Sequence, residues 1–143
     1  MALNDIIVRS ITRIVIPFVM LYGIYIILHG HVSPGGGFSG GALVGSSLIL
    51  YTLVFGVEKA RKKFSQRVSE IAESGGILLY LFVGILGIFL TGNFLSNQSA
   101  GFPMGELGSL LSGGIIPVLM IGIGIKVAST MISLFHVLIE EER

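Results

Sequence analysis

The chain has 143 residues, 52% of them hydrophobic and only 12% charged, where a soluble globular domain carries about a quarter of its residues as charge. Water is therefore not its main solvent, and after loops are subtracted the length leaves room for about four spanning helices of roughly 20 apolar residues and for no extramembrane domain. Cysteine is absent, which excludes disulfides, thiolate metal sites, iron–sulfur clusters and cysteine nucleophiles together.

Residues 11–29 form the first predicted span. A secretory leader is the competing reading of this end, but no small-residue cleavage site follows the apolar run and further apolar runs come after it. Pro17 removes a backbone donor and predicts a kink. Phe18, Tyr22, Tyr25 and His29 share one face. Such a stripe is ordinarily packing with tyrosines near an interface, and His29 is also a candidate proton shuttle at the outer mouth.

The stretch His29-Gly-His31-Val-Ser-Pro34-Gly35-Gly36-Gly37-Phe38-Ser-Gly40-Gly41 comes next. A phosphate loop is discarded, since no Gly-Lys-Ser/Thr follows the glycines and no strand precedes them. Metal binding by His29 and His31 would need a third ligand or a nearby carboxylate, and the loop has neither. The default reading is structural: Pro34 fixes a turn, the glycines permit backbone angles other residues avoid, and Ser39 or a glycine amide starts the next helix.

The second span covers residues 38–57, with Gly37, Gly41 and Gly45 repeating every four residues as a contact ridge. After it, Lys59, Arg61, Lys62, Lys63 and Arg67 crowd one loop, while residues 30–37 and 96–112 hold no Lys or Arg. The basic loop, Arg9, Arg13 and Arg143 then fall on one side, which places both termini in the cytoplasm. Attraction of the same loop to anionic headgroups gives the same side. The third span is predicted at residues 74–95, with Gly76, Tyr80, Gly84, Gly87 and Thr91 along one face.

The fourth span, residues 113–138, contains Pro117 as a second predicted kink and Lys126, the only ionisable side chain near the middle of any span. A charge at that depth costs roughly 2.5–3.5 kcal/mol on the insertion scale, so Lys126 is expected to face protein or water. Gly122, Lys126, Ser129, Ser133 and His136 lie on one helical face, with Thr130 at its edge. Asp5, Glu58, Glu70, Glu73, Glu106 and Glu140 to Glu142 all fall outside the predicted spans or at their ends. Lys126 is thus expected to lack a counter-ion within the chain, and either sits uncharged or pairs with a neighbouring subunit's carboxylate. Lys126, Ser129, Ser133 and His136 are the candidate border of a hydrated proton or cation route; a lysine that only locks an intersubunit contact is the competing reading.

GHVSPGGGFSGG resembles the signature of the MrpB (MnhB) family, one of the subunits of multi-subunit Mrp-type sodium/proton antiporters, and GELGSLLSGGIIPVLMIGIGIKVAS, residues 105–129, resembles that family's last span. The likeness covers nearly the whole chain. It implies a subunit that assembles with other hydrophobic antiporter subunits, with Na+ and H+ as the ions moved by the complex. Related subunits also occur in membrane-bound hydrogenases and related reductases, where the redox chemistry would belong to other chains. The expectation is therefore an all-α membrane protein, a single four-transmembrane-helix bundle over residues 1–143 in a prokaryotic cell membrane, non-enzymatic and without a cofactor. No paired acids or nucleophile–base set share a face for catalysis. The basic loop reads as a topology signal and not as a nucleic-acid site.

Overall fold

A computed structural model describes residues 2–32, 34–97, 101–102, 105–106 and 112–141, with the side chains of residues 2–4, 140 and 141 outside the description. Ser33, Arg143 and most of the predicted loop 96–112 therefore lie outside the described residues. Every regular element among the described residues is an α-helix: α1 (Ala2–His29), α2 (Gly37–Phe55), α3 (Val57–Lys63), α4 (Gln66–Thr91) and α5 (Ile116–Glu141). α1, α2, α4 and α5 are long and apolar enough to cross a membrane.

The long helices pack in the order α1, α2, α5, α4, with a lesser contact of α1 on α5. The inner pair have 33% of their most apolar stretch buried, against 22% for α1 and 17% for α4. The outer helices therefore turn broad apolar faces outward, among them Ile14, Phe18 and Leu21 on α1 and Leu78, Phe82 and Phe89 on α4. In water such faces would be untenable; in a membrane they meet lipid or another subunit.

Small residues set the distances between helices. A Cβ on Gly37 would stand 2.5 Å from the Met120 carbonyl oxygen, and one on Gly41 would stand 2.6 Å from that of Gly124. The ridge of Gly37, Gly41 and Gly45 thus lies directly on α5. Gly40, one position off that ridge, meets the Gly23 carbonyl and Ile27 of α1. Thr12, Ile16, Gly23 and Ile27 form the buried row of α1. On α4 the predicted row divides: Gly76 seats against the Gly122 carbonyl, whereas Gly84 and Gly87 receive Phe94 and the Asn93–Ser96 backbone as the chain folds back.

Several boundaries differ from the sequence expectation. α1 and α4 start earlier than predicted, at Ala2 and Gln66, and a short helix, α3, occupies the basic loop. Polarity at these ends masks helix because the extra turns lie beyond the apolar stretch: 26 residues in α4 measure about 39 Å against a hydrocarbon core of about 30 Å. α4 stops at Gly92, whose left-handed φ of 80° suits glycine and whose N–H caps the Ile88 carbonyl. Pro17 lies inside α1 as expected. Pro117 is the second residue of α5 and so occupies its first turn, not its interior. Its missing donor is one of the amides that a helix start leaves without an intrahelical partner, and no mid-helix bond is lost.

Candidate functional site

The seat of α4 on α5 is built by Gly76 and Gly122. The side chain of Lys126 begins within 2.9 Å of where a Gly76 Cβ would stand, so only glycine leaves room for the lysine stem there. From that point the stem runs along α4 toward its start, bringing Nζ to 4.0 Å from Glu73 Oε1. The expectation that Lys126 lacks a counter-ion within the chain is therefore corrected. Hydropathy starts the third span at Ser74 and so leaves Glu73 outside it; with α4 beginning at Gln66, Glu73 sits inside the helix, one turn before Gly76. The two side chains are 38% and 32% exposed in the chain by itself, so the pair borders the bundle and is open to a neighbour.

Thr130 ties the pair together. Its hydroxyl lies 2.8 Å from Glu73 Oε1 and 2.9 Å from the Lys126 carbonyl oxygen. One hydroxyl hydrogen serves one of these acceptors at a time. An ionised Glu73 accepts from Thr130; a protonated Glu73 donates to the Thr130 oxygen while Thr130 turns its hydrogen to Lys126 O. Both states of the carboxyl are satisfied without moving a helix.

The row toward the end of α5 is only partly as expected. Ser129 is buried, but its hydroxyl donates back to the Ile125 carbonyl at 2.8 Å and so serves its own helix. Ser133 and His136 line a polar cavity of about 100 Å³ together with Arg61, Ser69, Glu70 and Glu73. Glu73 thus touches both this cavity and Lys126. On the other side of Lys126, a crevice of about 140 Å³ is lined by Gly76, Ile77, Tyr80 and Ile123 and is almost wholly apolar. The polar line runs from the α3 end of the bundle to Lys126 and changes to apolar walls there.

His29 is not part of this line. It ends α1 at the opposite end of the bundle, stacked on Tyr25 at 4.2 Å with Nδ1 donating to the Tyr25 carbonyl at 3.1 Å. His31 Nε2 lies 3.1 Å from Ser112 Oγ. No group of three metal-ligating side chains occurs among the described residues. In the rest of the glycine motif Pro34 and Phe38 are exposed, and Gly35 and Gly36 adopt φ of 144° and 125°. The Gly37 N–H approaches Met120 Sδ at 3.1 Å. Gly36 is the N-cap of α2 without a side-chain cap, while Ser39 donates to the Gly36 carbonyl. The motif is a packing device that wedges the start of α2 between α1 and α5.

Glu73, Arg61, Ser69 and Glu70 are members that the sequence reading leaves out of the site, and Thr130 is one that it places only at the edge of the polar face. A signal for Glu73 exists: it lies three residues before Gly76 and extends the row of Gly76, Tyr80 and Gly84 by one turn.

Fold and site together define a polytopic helical membrane protein whose spans meet through glycine and carry an ion pair in the contact of two of them. Residues 7–133 match the family described as a domain related to the MnhB subunit of the Na+/H+ antiporter, and the chain belongs to that family. It is 30% identical over 105 residues to the B subunit of a Na+/H+ antiporter of Bacillus subtilis, covering 73% of each chain. It is 37% identical over 128 residues to an uncharacterized protein of Methanocaldococcus jannaschii, covering 83% of this chain and 48% of that one. Among solved structures it resembles a chain of the membrane-bound sulfane sulfur reductase, an archaeal respiratory membrane complex, with TM-score 0.72 and 32% identity over 87% of this chain and 53% of the other. The chain thus spans about half the length of the last two relatives.

Proposed function

We propose that the chain is a non-enzymatic membrane subunit of a multi-subunit sodium/proton antiporter in a prokaryotic plasma membrane, and that its α4–α5 contact supplies half of a proton or cation route. The observation that carries this reading is the polar line from the α3 end through His136, Ser133 and Glu73 to Lys126. Glu73 takes up and releases the proton, Thr130 satisfies both of its states, and Lys126 supplies the adjacent positive charge. Because the line stops at Lys126, the other half belongs to a partner subunit packed against the open flank of α4. The basic end of the bundle faces the cytoplasm, so the half-route opens inward.

The test is sodium-driven proton exchange in inverted vesicles that carry the whole complex with Lys126→Ala and, separately, Lys126→Arg. Exchange lost in an assembled alanine complex supports the route. Wild-type exchange from that complex removes the transport role, and loss of assembly rescued by arginine assigns Lys126 to a contact only.

A second reading is favoured by the reductase resemblance: the same subunit serves a redox-driven ion-pumping complex, whose catalysis lies in other chains. Purifying the native complex and identifying its partners separates the two. Antiporter-like chains alone support the exchanger, and iron–sulfur or nickel–iron subunits support the redox host.

A further inference from the structure

The cations of the basic segment are not equivalent. Arg61 turns toward α4 and α5 and lines the cavity beside Glu73. Lys59 and Lys63, one helical turn apart on α3, turn the other way and join Arg13 of α1 around a separate cavity of about 580 Å³. Its remaining wall is apolar and aromatic, including Pro17, Tyr51 and Phe55, and no carboxylate lines it among the described residues. Tyr51 is held in place by Phe55 at 4.8 Å and by Phe64 at 6.4 Å, with Lys63 Nζ 5.2 Å above its ring. The cations gather where α3 leaves α2. Arg13 immediately precedes the uncharged run of α1, which places this end at headgroup depth.

We infer that this cavity binds one anionic phospholipid, its phosphodiester held by Arg13, Lys59 and Lys63 and its acyl chains lying along Pro17 and Phe55 in the groove between α1 and α2. Three cations without a neighbouring carboxylate select a negative ligand, and the apolar wall continuous with the lipid-facing side of α1 selects one that carries hydrocarbon. Arg13 supplies a planar fork for phosphate oxygens, while Lys59 and Lys63 act as point charges. Tyr51 keeps Lys63 over the opening at little cost in side-chain order.

The test uses the full chain in nanodiscs of equal parts phosphatidylglycerol and phosphatidylcholine, released into detergent and weighed by native mass spectrometry. One phosphatidylglycerol is expected to stay bound, and phosphatidylcholine is not; equal retention of both on the unmodified chain overturns the proposal without any variant. Arg13→Gln with Lys59→Gln and Lys63→Gln is expected to lower retention on the order of a hundredfold, at about one kcal/mol per cation, while Lys62→Gln with Arg67→Gln, outside the cavity, leaves it unchanged. Equal loss in both sets would reduce the effect to general attraction and contradict a site. Displacement of the lipid by millimolar inorganic phosphate would identify a free-phosphate site and likewise overturn the lipid assignment.

Discussion

Glu73 and Lys126 lie 4.0 Å apart on neighbouring helices, too far for a tight bidentate contact and close enough for each to feel the other's charge. The hydroxyl of Thr130 supplies the hydrogen bond that the ammonium at this spacing does not. Thr130→Val, which keeps the shape and removes the hydroxyl, is expected to slow exchange by about tenfold, the worth of one hydrogen bond to a charged group. Thr130→Ser should retain most of the rate, and equal rates for the two would remove Thr130 from the mechanism. Lys126 is legible in the sequence as a charge amid an apolar run, and so are Ser133 and His136 through helical spacing. Glu73 escapes hydropathy, which marks where a helix becomes apolar and not where it begins, and is legible only through the row of Gly76, Tyr80 and Gly84 that it extends by one turn. Ser129 shows the converse limit: spacing puts it on the polar face, yet its hydroxyl is taken up by its own backbone.

At the scale of helices, adjacent glycines carry opposite burdens. A Cβ on Gly75 would meet nothing within 4 Å, whereas one on Gly76 would press on the Gly122 carbonyl at 2.5 Å. Gly75→Ala is therefore expected to leave stability unchanged or raise it by about 0.5–1 kcal/mol through helix propensity. Gly76→Ala is expected to lower it by about 1–3 kcal/mol, since backbone must yield. Thermal unfolding of the two single variants in the same detergent checks the contrast; matching midpoints would contradict the glycine seat. The spans and glycine ridges are readable from period and composition alone. The short α3 and the polar first turns of α1 and α4 are not, since these turns extend past the hydrocarbon thickness that defines an apolar stretch. Nor can the sequence divide the α4 row into a helix seat at Gly76 and a cradle for the returning chain at Gly84 and Gly87. That division depends on residues far along the chain.

For the whole molecule, the proposed cytoplasmic placement of the basic segment, taken with four crossings, puts residue 106 outside. The chain has no cysteine, so single replacements report topology without background. Lys62→Cys should react with an impermeant thiol reagent only in inverted vesicles, and Glu106→Cys only in intact cells; the reverse pattern would turn the half-route outward. The open row of helices leaves α4 bare on its outer side, with Glu73 and Lys126 at its border. The most direct test of the half-route is sodium-driven proton exchange by the assembled complex carrying Glu73→Gln, with assembly confirmed by co-purification. Exchange should fall to the background of vesicles lacking the complex, because glutamine cannot take up and release the proton. Exchange at the unmodified rate from a fully assembled Glu73→Gln complex would show that ions pass without this carboxyl, and the α4–α5 contact would then be structural.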